Sequence, residues 1–104
     1  MNLNIDKEGG NMFVGVIKVS LQIPMAQSLK DKRRIIKSLT DKCKNKYNVA
    51  VAEVDKKDLW KNSDLGLVTV AGDKMYLDKV INKVIKFIED FPGVILYDHT
   101  VDYY

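Results

Sequence analysis

The sequence predicts a single α+β domain in β-α-β-β-α-β order, with two helices packed on one face of a four-stranded antiparallel sheet. Three observations carry this expectation. Four segments read as strands, either by period-2 alternation or as short β-branched runs. Two longer segments repeat apolar residues at helical spacing behind a capping residue. The chain has 104 residues, the size of one domain and too few for two independent cores. Hydrophobic residues at 46% and charged residues at 30% are those of a globular chain, not a disordered one.

Residues 1–11 (MNLNIDKEGGN) are polar and lack periodicity, and are read as a flexible extension ahead of a domain spanning 12–104. In Phe13 to Ile23, Ile17, Val19, Leu21 and Ile23 alternate with polar Lys18, Ser20 and Gln22, the pattern of a strand with one buried face. Pro24 ends it, having no N–H to donate. Ser28 and Asp31 then stand at capping-box spacing. Leu29, Ile36, Leu39, Cys43 and Tyr47 share a stripe of the wheel, so a helix runs from Leu29 to Lys46.

Tyr47 to Val54 is rich in β-branched residues and alanine and predicts the second strand. Asp55 to Asp64 is a polar connection, and Leu65 to Ala71 is a short apolar run suited to a central strand. Asp73 caps a second helix with an apolar face of Leu77, Val80, Ile81, Val84, Ile85, Ile88 and Phe91, while Lys79, Lys83 and Lys86 point away. Pro92-Gly93 stops that helix, and Val94 to Tyr103 is the last strand. Covering one face of the sheet leaves the other open.

Charge is segregated. Between Ser28 and Lys46, eight basic residues face two aspartates, so this helix carries +6 in a chain of net charge +3, and the remainder sums to −3. Lys30, Arg33, Arg34, Lys37 and Lys44 share one flank; Lys42 and Lys46 lie on the other. Lys32 falls near the apolar stripe, where a lysine is expected to snorkel past the core edge. Both arginines of the chain are adjacent here, and a guanidinium fork suits phosphate. The flank is a candidate nucleic-acid-binding surface, with RNA or a ribosomal subunit as partner; the plainer reading is a solvated helix face.

The second candidate surface is the open sheet face, as a homodimer interface or adaptor surface. Trp60, Tyr97, His99 and Val101 are its candidate residues, with Tyr97, His99 and Val101 on one side of the last strand. For Trp60, with Leu59 beside it, folding back over the core is expected ahead of anchoring a partner. An aromatic row there resembles the stacking platform of an RNA-recognition motif, but LGLVTVA lacks that motif's basic-Gly-aromatic run.

No catalytic residue, metal site, cofactor or small-molecule substrate is expected. One Cys and one His make neither a disulfide nor a tetrahedral zinc site, and Cys43 falls on the buried stripe of its helix. Glu53, Asp55 and Asp58 are read as surface charge. Acylphosphatases share this architecture, but their chemistry wants a Gly-rich, Arg-bearing loop after the first strand; Pro24 to Ser28 has neither. No apolar run of membrane-spanning length and no signal pattern occur, so a cytoplasmic, non-membrane protein is expected.

Phe13-Val14-Gly15-Val16, the run Ser28 to Arg34 (SLKDKRR), Val51 to Asp55 (VAEVD) and Asp58-Leu59-Trp60 resemble the YlxP-like family, from Met12 to about Val101. That is a bacterial domain of unknown function with a ferredoxin-like fold. The resemblance implies a cytoplasmic protein encoded, in many bacteria, near translation and ribosome-maturation factors. It implies no catalytic residue.

Overall fold

The computed structural model describes residues 11–104. The expected extension over 1–11 therefore lies, except for Asn11, outside the described residues. The elements are β1 (Phe13–Gln22), α1 (Leu29–Lys46), β2 (Ala50–Asp55), β3 (Asn62–Ala71), α2 (Lys74–Glu89) and β4 (Ile95–Tyr103). All strand pairings are antiparallel, in the order β2-β3-β1-β4, so the fold is ferredoxin-like.

Both helices start where a side chain supplies the missing acceptor. The Ser28 hydroxyl accepts from the Asp31 N–H at 3.0 Å, and the Asp73 carboxylate accepts from the Tyr76 N–H at 2.8 Å. The Asp31 side chain reaches back, but to the N–H of Gln27 at 3.0 Å.

The core lies between the sheet and the helices. Ile17, Val19 and Leu21 from β1, with Leu65 and Leu67 from β3, meet Ile36, Leu39 and Cys43 of α1 and Leu77, Ile81, Val84 and Ile88 of α2. Each such aliphatic side chain removed from water contributes about 1.5–3 kcal/mol before ordering costs. Gly15 allows α2 its close approach: a Cβ there would stand 2.5 Å from Ile81 Cδ1.

Two element boundaries and one strand register differ from expectation. Tyr47 is not in β2; it caps α1, its N–H donating to the Cys43 carbonyl at 2.8 Å, and packs edge-on against Phe87. β3 begins at Asn62, three residues early, because Ser63 and Asp64 are polar yet buried and paired. In β4 the register with β1 shifts between Ser20 and Leu21, so Leu21 pairs with Leu96 while Ser20 pairs with Asp98. That bulge breaks the expected side-by-side row.

Candidate functional site

α1 sorts its eight basic residues into three environments. Lys30, Arg33, Arg34, Lys37 and Lys44 are exposed and occupy one continuous arc facing away from the sheet. Asp41 lies inside that arc and holds Lys37 at 2.7 Å, an i,i+4 pair that leaves the arc with about four uncommitted positive charges. The structure thus brings together all five residues singled out as phosphate contacts.

Lys32 does not snorkel. It is fully buried, and its ammonium donates to Glu53 Oε2 at 3.0 Å and to the carbonyls of Lys56, Lys57 and Asn62 at 2.8, 3.1 and 3.1 Å. A charge inside a fold is tolerated only when its donors are met, and here three backbone oxygens and a carboxylate meet them. Glu53 is accordingly not free surface charge; it also accepts from the Ser63 hydroxyl at 2.5 Å. The network ties α1 to the β2–β3 connection.

Lys42 and Lys46 turn toward α2 and lie over aromatic rings. Lys42 Nζ is 5.6 Å from the centre of Phe91, and Lys46 Nζ is 5.4 Å from that of Phe87. With Lys83 and Lys86 of α2 they border a groove of about 650 Å³. The sequence pattern puts Phe91 on the apolar face of α2, with Lys83 and Lys86 pointing away from it. The Phe87–Phe91 pair at i,i+4 beside Lys83 was the signal available for the groove.

The open sheet face is not the expected aromatic row. Val101 pairs with Ile17 and packs against the core, beneath the helices rather than opposite them. Tyr103 also faces α2, with Lys74 Nζ 3.8 Å from its ring centre. His99, paired with Val19, is exposed near the β4 edge. Tyr97 lies on the helix-free face because of the bulge, and the Lys56 ammonium joins its hydroxyl (2.9 Å) to Asp64 Oδ1 (3.1 Å).

Lys56 reaches this position from a left-handed backbone, φ 62°. Its hydrogen bond to Tyr97, and then Asp64, hold its proton more tightly than in an ordinary lysine. Burial alone raises the Asp64 pKa, but Lys56, Ser20 and Lys18 together outweigh it and hold the carboxyl below its ordinary value. This end of the open face is therefore polar, while Val54, Val68 and Val70 expose an apolar strip. Trp60 does not cover the core: it is 53% exposed, and Leu59 beside it is 49% exposed.

Among the described residues no three His, Cys, Asp or Glu side chains gather as a metal site, and no helix is long and apolar enough to cross a membrane.

Residues 14–101 match the family described as "Protein of unknown function (DUF503)". The chain belongs to the DUF503 family. A relative of this DUF503 protein, "Uncharacterized protein YlxP" of Bacillus subtilis (strain 168), is 30% identical over 82 residues, covering 79% of this chain and 89% of that one. Among solved structures, the de novo designed protein Foldit4 superposes with a TM-score of 0.53 at 17% identity, covering 90% of this chain and 97% of that one, a likeness of fold alone.

Proposed function

We propose that this DUF503 protein is a non-enzymatic, cytoplasmic accessory protein that associates with RNA or a ribosomal subunit through the outward face of α1. The observation that supports this reading is the arc of Lys30, Arg33, Arg34, Lys37 and Lys44, all exposed with one aspartate among them. Such an arc presents cations at the spacing of a helix surface to a polyanion and has no base-reading geometry of its own. With about four phosphates neutralised, affinity should fall about a hundredfold between roughly 50 and 200 mM salt.

Co-sedimentation with ribosomal subunits across a salt series tests this. Arg33→Glu with Arg34→Glu should abolish binding without changing the circular dichroism spectrum. Binding that persists in the double variant sinks the reading.

A second reading, a homo-oligomeric adaptor working through the open sheet face, is favoured by the exposure of Val54, Val68 and Val70 at 52%, 39% and 49%. A concentration-dependent mass lost on Val68→Glu supports it, and a monomer at high concentration excludes it.

A further inference from the structure

The groove between α1 and α2 continues into the basic arc. A hollow of about 320 Å³, sharing Lys42 and Phe91 with the larger groove, extends past Ser38 to Arg34. Arg34 belongs to both surfaces. We propose that the groove is a binding site for an unpaired stretch of single-stranded RNA, with bases against Phe87 and Phe91 and phosphates on Lys42, Lys46 and Lys83. This rests on the RNA-binding reading of the arc and names the class of RNA.

Size permits it, since a cavity of about 650 Å³ lies within the roughly 300–1,000 Å³ of ordinary ligand sites. Charge permits it as well. Lys86 is engaged by Glu89 at 3.6 Å and Asp90 at 3.2 Å, but Lys42, Lys46 and Lys83 form no ion pair among the described residues. Lys42 and Lys46 rest on aromatic faces, a weak arrangement at an exposed site. Swinging toward a phosphate would uncover the rings beneath them.

The pairing of rings with cations favours a nucleotide over an acidic peptide. Phe87 and Phe91 each have an ammonium 5.4–5.6 Å from the ring centre, so every ring in this pair has a cation beside it. A nucleotide carries a flat base and a phosphate in one repeating unit and complements such ring–cation pairs; an acidic peptide uses only the cations. The two rings, 6.0 Å apart and tilted by 52°, offer separate surfaces and no slot for one base. A duplex keeps its base faces stacked inside and offers none to either ring.

The test is fluorescence anisotropy at low salt with a single-stranded RNA of about 12 nucleotides, a duplex of equal length and poly-glutamate as competitor. Single strands should bind about tenfold more tightly than duplex, and Lys83→Glu or Phe91→Leu should each remove about that preference. Lys83 is exposed, so its variant reports even where Phe91→Leu perturbs folding. Equal affinity for both RNAs, lost in the Arg33/Arg34 double variant but not on Lys83→Glu, overturns the groove and leaves the arc standing. Poly-glutamate competing as well as single-stranded RNA also overturns it. No binding to any RNA overturns both.

Discussion

Lys32→Met keeps the length and apolar stem of the side chain and deletes the buried ammonium. Four acceptors lose a donor at once: Glu53 Oε2 and the carbonyls of Lys56, Lys57 and Asn62. Removing one partner of a buried ion pair costs about 3–5 kcal/mol, mostly from the charge left behind. The Glu53 side chain is 21% exposed and retains the Ser63 hydroxyl, so partial rehydration places the cost at the lower end, about 3 kcal/mol. For a domain of this size that lowers Tm by roughly 12–24 °C, at about 4–8 °C per kcal/mol.

Urea and thermal unfolding followed by far-ultraviolet circular dichroism measure the loss. Adding Glu53→Gln removes the stranded charge and should restore about 1 kcal/mol of it, a coupling of the size seen between contacting residues. A Lys32→Met protein within about 1 kcal/mol of the parent would refute the claim that this ammonium anchors the β2–β3 connection. So would a double variant no more stable than the single one.

Gly15→Ala should destabilise by about 1–3 kcal/mol in the same assay, because its Cβ would strike Ile81 inside the core; a neutral result would mean that α2 moves away freely. Burial pushes the Cys43 thiol up to about 11, so at pH 8 a thiol reagent should label it only after unfolding, and rapid native labelling would contradict its placement. Asp64 has a folded-state pKa below its unfolded value, so its contribution is present above about pH 4 and lost as pH falls through the folded value. The stability gap between the parent and Asp64→Asn, read from urea midpoints, should therefore close as the solution is acidified; a gap independent of pH would contradict the pairing with Lys56.

What was legible in the sequence was whatever periodicity and capping encode. The bounds Leu29 and Lys46 of α1 follow from Ser28 in front and the apolar stripe behind, and Asp73 marks α2 as clearly. Asn62, Ser63 and Asp64 look like loop in the sequence because a strand is recognised by apolar alternation. Ser63 and Asp64 are buried by polar pairing with Glu53 and Lys56, which arrive from elsewhere in the chain. The bulge at Tyr97 was invisible because a period-2 count has no place for an extra residue.

The five residues of the arc could be grouped on a helical wheel, since they share one helix. The fate of Lys32 could not be read that way. Its position near the apolar stripe showed that it approaches the core, but three of its four acceptors are backbone carbonyls, which any residue type supplies. The groove needs two helices, and only the packing of α1 on α2 sets Lys42 and Lys46 opposite Lys83 and Lys86.

β1 is an interior strand of the sheet, flanked by β3 on one side and β4 on the other. Its partners lie far along the chain: Phe13 pairs with Ala71, and Gly15 with Tyr103. During synthesis from the N-terminus, β1 emerges with both edges bare and waits for β3 before either is satisfied. The second edge closes only when β4 has been made. Such non-local pairing slows folding and leaves an alternating apolar strand open to wrong partners in the interval. Among the described strands, this interior one is thus the first to be made and the last to be fully paired.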